Sequence, residues 1–353
     1  MHIPNTSPYV RILECDVQLI AAKKKLSKID ALEYLLQLLT PCTSALYLTG
    51  INVPRIPSLK HLTNLTHLDL SWNELRELPE MPEGLDWLMC SRNRLTSLQG
   101  IPSTVRTLIG DSNKVRVVSG LPAGLIKMCL ADNRIEHIES FPPTLQLCYV
   151  SYNNLQEFPP FPDTIEVLSV MSNNLRELPP RLPASLQTLL CDGNPRLSVL
   201  PEMPGNLVRL SVQQCNISRF PRLPDTLSVL DIRDTPVLHM ENIPEYLFDP
   251  YHMMDNTPIG QWIEPRVSDE ALRNLSSFDV LGLYRDNLQK LHRFREMYFA
   301  LRFKRQFWRW MWNKHRIARI ERAHHPDRLK ERLEQDGGEE ADLEDVLQKL
   351  GNS

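Results

Sequence analysis

The chain of 353 residues is long enough for a large buried core and for more than one structural unit. Hydrophobic residues make up 42% of it, and the formal net charge of -3 predicts neither nucleic-acid nor membrane binding. The 28 prolines against 13 glycines are unusual. Disordered proline-rich chains combine many prolines with low hydrophobicity, so we expect these prolines to be ordered features of a folded protein.

The seven cysteines lie between Cys15 and Cys215 and include no Cys-x-x-Cys pair, so their spacing indicates neither a zinc site nor a disulfide framework. The first residues do not combine a basic stretch with an apolar core, and the chain has no run of about 18 apolar residues. The sequence therefore predicts a cytoplasmic protein without a classical signal peptide or a transmembrane segment.

Apolar residues recur along the middle of the chain with a period of about 20 residues. One copy reads Leu65, Leu68, Leu70, Asn73, Leu75 and Leu78. Its first position returns at Leu85, Val105, Leu125, Leu145, Ile165, Leu186, Leu207 and Leu227, with one inserted residue before Leu186 and a degenerate opening copy around Leu46. Such a series of about nine registers indicates a repeat architecture.

Each position of the repeat predicts a physical role. The Leu-x-x-Leu-x-Leu part predicts a short strand that buries its apolar side chains only by pairing with the strands of neighbouring repeats. We expect the asparagine amide to satisfy backbone groups that the following turn leaves unpaired. Ile51, Cys215 and Thr235 replace it near the ends, where terminal repeats are atypical. The pattern indicates an α/β repeat fold, a leucine-rich-repeat solenoid with a parallel concave sheet.

The prolines recur in the segments that return from one strand to the next. Examples are LPEMPEGL from Leu78, FPPFPDTI from Phe158 and LPPRLPASL from Leu178. Because proline fixes φ near about -65° and lacks a backbone N–H, these segments predict a polyproline-like convex side rather than helices.

The LPxLP-type repeat over residues 42–242 resembles that of bacterial type III secretion effectors such as YopM and the IpaH ubiquitin ligases. In that family a helical hairpin precedes the first repeat. Residues 9–39 carry apolar residues at helical spacing, so we expect residues 1–41 to form a helical N-terminal cap.

The chemistry of the ligase branch does not carry over to this chain. A thioester ligase needs a nucleophilic cysteine in an added helical domain, and no cysteine follows Cys215. Cys191 precedes Asp192 but occupies an inward position of its repeat, as do Cys90 and Cys148, so we interpret these thiols as core. The sequence shows no phosphate-binding, dinucleotide, zinc-protease or hydrolase motif, and it predicts no cofactor and no metal.

Side chains alternate along a strand, so the residues between the inward positions must face the concave surface. The centre of that surface is apolar, and large exposed apolar patches with aromatic side chains typically mark interaction sites. The candidate partner-binding residues are Trp87, Met89, Ile109, Leu147, Tyr149, Val167, Met171 and Leu190, with Tyr152 at the border. The pattern favours a protein partner; the alternative is that the C-terminal helices of the chain itself cover the patch.

The repeat frame ends after Met240. We expect a linker over residues 243–267, a basic amphipathic helical segment over 268–325 and an acidic tail over 326–353. The basic candidate residues are Arg302, Lys304, Arg305, Arg309, Lys314 and Arg316. The segment could pack on the solenoid and pair with the acidic tail, or use residues 284–322 to bind an anionic membrane or a calmodulin-like protein. Both interpretations are favoured over nucleic-acid binding.

The run FKRQFWRWMWNKHRIARI and the later HHPDRLKERLEQ resemble a C-terminal element in proteins of large double-stranded DNA viruses of protists. That resemblance implies a viral protein acting inside a host cell. Overall the sequence predicts a non-enzymatic protein-interaction scaffold. The alternatives are an effector-like ubiquitin ligase or enzyme adaptor, and a tether to membrane or nucleic acid through the basic segment.

Overall fold

The computed structural model describes residues 9–240 and Thr257. Two helices near the start of this range are followed by a long series of very short strands. The elements are β1 (Tyr9–Arg11), α1 (Glu14–Lys24), α2 (Lys28–Gln37), β2 (Ala45–Tyr47), β3 (His67–Asp69), β4 (Trp87–Met89), β5 (Thr107–Ile109), β6 (Val117–Val118), β7 (Lys127–Cys129), β8 (His137–Ile138), β9 (Leu147–Tyr149), β10 (Val167–Ser169), β11 (Thr188–Leu190), β12 (Arg209–Ser211), β13 (Arg219–Phe220), β14 (Val229–Asp231) and β15 (His239–Met240).

The main sheet of the described residues has eleven strands in the order β1-β2-β3-β4-β5-β7-β9-β10-β11-β12-β14. Every pairing is parallel, and equivalent residues of successive repeats face each other, as Leu68 faces Leu88. The middle residue of each strand is buried, Leu88 and Leu108 completely. Because one three-residue strand cannot bury its own side chain, the array forms one continuous core. The predicted solenoid with a parallel concave sheet is confirmed.

The N-terminal segment differs in part from the helical prediction. Residues Tyr9–Arg11 form β1, which pairs in parallel with β2 and buries Val10. The strand forms here because β2 would otherwise present an unpaired edge, and edge N–H and C=O groups favour pairing with another strand. The helices follow: Ser27 caps α2 by accepting from the Asp30 N–H at 3.2 Å, and α2 buries Ala31, Leu32, Leu35 and Leu36 on one face.

A buried ladder of asparagines runs along the repeats. The Nδ2 group of Asn93 donates to the carbonyls of Leu70 and Cys90, both at 3.0 Å, and its Oδ1 accepts from the N–H of Leu75 at 3.0 Å. The same pattern recurs at Asn73, Asn113, Asn133, Asn153, Asn173 and Asn194. Each amide therefore satisfies groups in two neighbouring repeats, as the sequence predicts. At the end of the series Cys215 keeps only part of the pattern, with its Sγ 3.2 Å from the Cys191 carbonyl.

A second polar ladder, which the repeat pattern did not predict, crosses the turns that enter the strands. The Oγ1 of Thr144 donates to the carbonyls of Ala123 and Leu125, each at 2.9 Å. Thr164 and Thr226 repeat this arrangement. One proline of each return segment, three residues before the first apolar position of the next repeat, contributes as well: its carbonyl accepts from the N–H of that apolar residue in a turn that leads into the next strand.

The chain leaves every concave strand except β1 through a residue with left-handed backbone geometry. This left-handed column has φ between 51° and 68° and consists of Gly50, Trp72, Arg92, Ser112, Asp132, Tyr152, Ser172, Gly193, Gln214 and Asp234. From Trp72 to Gly193 each member directly precedes a ladder asparagine. Since left-handed geometry costs a side-chain-bearing residue about 1–2 kcal/mol, the asparagine bonds must hold the turn in place.

The convex side contains no helix within the described residues, as predicted, and two pairs of short parallel strands instead, β6 with β8 and β13 with β15. The inserted residue falls in the return segment between Asn173 and Asn194. A groove of about 470 Å³ lies there, with Phe158, Phe161 and Leu182 among its lining residues. Phe161 also stacks on Phe141 with ring centroids 5.4 Å apart.

Candidate concave interaction surface

The concave face consists of the outward positions of the main sheet. The first column, at the start of each strand, is Tyr9, Ala45, His67, Trp87, Thr107, Lys127, Leu147, Val167, Thr188, Arg209 and Val229. The second column, at the end of each strand, is Arg11, Tyr47, Asp69, Met89, Ile109, Cys129, Tyr149, Ser169, Leu190, Ser211 and Asp231. The third column, two residues beyond, runs from Thr49 through Ser71, Ser91, Asp111, Ala131, Ser151, Met171, Asp192 and Gln213 to Arg233.

The structure places the candidate apolar residues on this face, on strands β4, β5, β9, β10 and β11 and directly after β10. In the second column Met89 neighbours Ile109, and Cys129 lies between Ile109 and Tyr149. Trp87 keeps 37% of its surface exposed, and the other strand members of the set are half-buried between their neighbours. Met171 lies in the third column, whereas Tyr152, 58% exposed, belongs to the left-handed column. The candidate apolar residues thus lie on both sides of β7, which carries Lys127 and Cys129.

Aromatic side chains that the sequence analysis missed extend the face towards its N-terminal end. Tyr9 is 68% exposed and Tyr47 is 37% exposed. They continue the two columns beyond His67 and Trp87, whose ring centroids are 5.7 Å apart. Tyr47 lies between the inward Leu46 and Leu48 of the opening repeat, and this alternation is the sequence signal that could have revealed it. The three residues of β1 are too few to give such a signal for Tyr9.

The left-handed column adds a second missed pair beside the concave face. Trp72 is 56% exposed, and the guanidinium of Arg92 lies 4.1 Å from its ring centroid. Trp72 has a φ of 59°, which is rare for a bulky side chain. Its position directly before the ladder asparagine is the signal that places it, because the residue there must point out of the turn.

Most polar side chains of the third column form hydrogen bonds with neighbouring repeats of the chain. The Ser91 Oγ accepts from the N–H of Asp111 at 3.1 Å, and the Asp111 Oδ1 accepts from the N–H of Ala131 at 2.8 Å. Ser151 receives the N–H of Met171 in the same way at 3.2 Å. The polar side chains of the third column therefore form a third ladder, to which the buried Oγ of Ser71 is an exception, because it has no hydrogen-bond partner among the described residues.

All four carboxylates of the concave face accept hydrogen bonds from the chain. Asp69 accepts from Thr49 Oγ1 at 2.9 Å and from the Ser71 N–H at 2.8 Å. Asp192 accepts from the Ser211 hydroxyl and the Gln213 N–H. Asp231 accepts from Gln213 Nε2 and pairs with the Arg233 guanidinium at 2.7 Å. The fourth, Asp111, accepts from the next strand as described above. Burial raises the pKa of Asp111 and of Asp192 above the ordinary range.

Unlike the carboxylates, most cations of the concave face lack a partner among the described residues. Arg233 pairs with Asp231, but the side chains of Arg11, Lys127 and Arg209 form no ion pair with any carboxylate of the described residues. Lys127 is close enough to Asp111 to lower the pKa of that carboxyl, although burial outweighs this effect. Arg11 and Arg209 are exposed.

Three cysteines of the repeats are core residues, as the sequence predicts, whereas Cys129 lies half-buried in the second column of the concave face. Cys90, Cys148 and Cys191 are completely buried. Burial raises the pKa of the Cys90 thiol to about 12 and that of Cys191 well above its ordinary value, so neither is poised as a nucleophile. Over residues 9–240, no group of three or more histidine, cysteine or carboxylate side chains is arranged to hold a metal ion. None of the helices described is long and apolar enough to cross a membrane.

The remaining predictions fall on residues outside the described part of the chain. They comprise the linker 243–267, the basic segment 268–325 and the acidic tail 326–353. The basic candidates Arg302, Lys304, Arg305, Arg309, Lys314 and Arg316 lie there too, as do residues 284–322, proposed to bind a membrane or a calmodulin-like protein.

Several solved structures are similar to this chain. YopM from Yersinia enterocolitica is 28% identical over 61% of this chain and 54% of its own, with a TM-score of 0.49. The YopM effector of Yersinia pestis is 24% identical over 61% of this chain and 75% of its own, with a TM-score of 0.42. A Shigella effector leucine-rich-repeat domain is 25% identical over 48% of this chain and 69% of its own, with a TM-score of 0.36. The match thus spans about half the length of the first of these proteins.

No curated protein matches the chain in sequence. Residues 64–85, which contain β3 and the first asparagine of the ladder, match the family model described as Leucine Rich Repeat. The parallel sheet and the asparagine ladder continue the geometry of this one repeat on both sides of it. The described chain is therefore a leucine-rich-repeat solenoid.

Proposed function

We propose that the solenoid is a non-enzymatic scaffold that binds a partner protein on its concave face. Leucine-rich-repeat solenoids generally present extended surfaces to other proteins. The observation that supports the concave face is the apolar set around Trp87 and Tyr149, which combines aromatic side chains with half-exposed aliphatic ones. Aromatic side chains surrounded by apolar contacts contribute a large share of the binding energy at protein interfaces.

The test uses affinity capture with the full chain as bait and quantitative mass spectrometry as the readout. The double variant Trp87→Ala with Tyr149→Ala removes both aromatic side chains. Val117→Ala with Val199→Ala is the matched control, because Val117 and Val199 are exposed apolar residues of the return segments, 51% and 64% exposed. Loss of about 2 kcal/mol at a central aromatic weakens binding more than tenfold.

We expect the wild type and the valine variant to recover the same partner and the aromatic variant to lose it at least tenfold. Equal recovery by all three proteins would remove the concave face as the binding site. Ubiquitin transfer by the purified chain, in the presence of activating and conjugating enzymes, would contradict the non-enzymatic part of the proposal.

A second proposal concerns the basic segment, whose composition favours binding to an anionic membrane or to a calmodulin-like protein through residues 284–322. Vesicles of phosphatidylcholine with and without phosphatidylserine, and calcium-loaded calmodulin, separate the two partners. Deleting residues 284–322 should abolish binding to one of them. We also propose that the protein acts in the cytoplasm, and in that of a host cell, as the viral resemblance of its C-terminal run implies.

A further inference from the structure

The carboxylates and the cations of the concave face differ in what they contact. Every carboxylate accepts a hydrogen bond from a backbone or side-chain donor of the chain, as Asp69 and Asp111 illustrate. The side chains of Arg11, Lys127 and Arg209 make no such contact with any acceptor of the described residues. The formal charges of the face balance, but its carboxylates are held by donors of the chain, whereas Arg11, Lys127 and Arg209 are available to contact the carboxylates of a partner.

The positions of two of these cations fit the apolar set. Lys127 neighbours Leu147 in the first column, and Arg209 lies in the same column on β12. Four strand spacings separate β7 from β12, which corresponds to about 19 Å at about 4.8 Å per spacing. Leu147 and Val167 lie in the column between the two cations.

We propose that the concave face binds an acidic protein segment whose carboxylates pair with Lys127 and Arg209 while its apolar side chains contact the residues between them. This inference rests on the proposed function and adds the chemistry of the partner. An extended segment spans the distance between the two cations with about six residues at about 3.4 Å each. The acidic residues of the partner are therefore spaced about six positions apart, with apolar residues in between.

Charge reversal tests this idea more sharply than charge removal, because electrostatic complementarity determines specificity more than affinity. The probe is a phage-displayed library of random 16-residue peptides, selected on the full chain. The baits are the wild type and the double variant Lys127→Glu with Arg209→Glu. Arg134→Glu with Arg222→Glu is the matched control, since Arg134 and Arg222 are exposed arginines outside the concave strands. Lys127→Gln with Arg209→Gln is a milder second variant.

We expect the wild type and the control to select peptides enriched in aspartate and glutamate, and the reversed variant to select peptides enriched in lysine and arginine. A synthetic copy of a selected acidic peptide should bind the reversed variant at least tenfold more weakly by fluorescence titration. Its affinity for the wild type should also fall with added salt. The glutamine variant should lose the acidic enrichment without gaining a basic one.

Failure of the acidic partner and failure of the proposed function can be distinguished by repeating the selection on baits that also carry Trp87→Ala and Tyr149→Ala. Peptides that need both aromatics but have the same composition on the wild-type and reversed baits would overturn the acidic partner and leave the proposed function standing. Peptides that need neither the two aromatics nor the two cations would overturn both. Binding of a 20-nucleotide single-stranded DNA that requires Lys127 and Arg209, without acidic peptides, would assign the two cations to nucleic acid instead.

Discussion

The side-chain amide of Asn153 donates a hydrogen bond to the carbonyl of Leu130, which lies 23 residues earlier in the chain and 3.0 Å away. Asn153 also bonds to the carbonyl of Val150 and accepts from the N–H of Ile135. The next residue, Asn154, is exposed and makes no side-chain bond of this ladder. Of two adjacent asparagines in the same turn, Asn153 therefore belongs to the buried ladder and Asn154 does not.

This pair gives a matched prediction for stability. Asn153→Ala leaves buried carbonyl and N–H groups unpaired, so we expect the free energy of unfolding to fall by about 2–4 kcal/mol. Asn154→Ala should change it by no more than about 0.5 kcal/mol. Urea denaturation followed by circular dichroism measures both. Similar losses for the two variants would contradict the structural role of the ladder.

The third column offers a second matched pair, in which the two substitutions should act in opposite directions. The Ser71 hydroxyl is buried without a partner in the part of the chain that the structure describes, whereas Ser151 accepts from the Met171 N–H and contacts the Ser169 hydroxyl at 2.8 Å. We expect Ser71→Ala to leave the free energy of unfolding unchanged or to raise it, and Ser151→Ala to lower it by about 1 kcal/mol. Thermal unfolding of both variants distinguishes them, and destabilisation by Ser71→Ala would show that its hydroxyl has a partner.

Thiol reactivity should divide the cysteines by burial. Cys15 and Cys42 are exposed, whereas burial raises the pKa of Cys129 to about 11 and that of Cys215 to about 12. With Ellman's reagent at pH 8 we expect two thiols to react quickly in the native protein and the other five only slowly or after unfolding, because the thiolate is the reactive form. Rapid reaction of a third thiol would be assigned by the variant Cys129→Ser.

Substitution of Asp111 should raise the free energy of unfolding by an amount that depends on pH. Burial raises the pKa of this carboxyl in the folded state, so its ionised form costs stability at pH values above the folded pKa. Asp111→Asn keeps an oxygen that can accept from the Ala131 N–H but removes the charge. We expect the variant to be more stable than the wild type at pH 7 and equally stable near pH 3. Asp163→Asn, at an exposed position, is the control, and a gain of the same size at both pH values would contradict the electrostatic cause.

The repeat frame read from the sequence predicts much of this structure. Leu88 and Leu108 are buried and Asn93 bonds across repeats as expected, because one periodic pattern determines both the strand and its turn. Strand β1 was missed because three residues are too few to establish a period. The third-column ladder was missed because serine and aspartate at an outward position also fit a solvated surface, and only the backbone N–H of the next repeat distinguishes the two interpretations.

The candidate surface was predicted less completely than the fold. Trp87 and Tyr149 followed from the frame, whereas Tyr47 and Trp72 lie in or beside the first repeats, where the frame is degenerate or where the residue belongs to a turn. The pairing of charges could not be predicted either. Whether Asp69 or Lys127 contacts a donor or acceptor depends on the adjacent strand, and that pairing is decided only when the repeats stack.

Asn173 and Asn194 are one residue further apart than the other neighbouring members of the ladder, yet Asn194 keeps its bonds to the Val170 carbonyl at 3.0 Å and from the Leu175 N–H at 3.1 Å. The extra residue is absorbed in the return segment, beside the groove that contains Phe158. Small insertions in the gene are thus accommodated on the convex side without shifting the register of the sheet. Duplication of a whole repeat would instead lengthen the concave face by about 4.8 Å, so the length of this face can change in evolution by fixed increments.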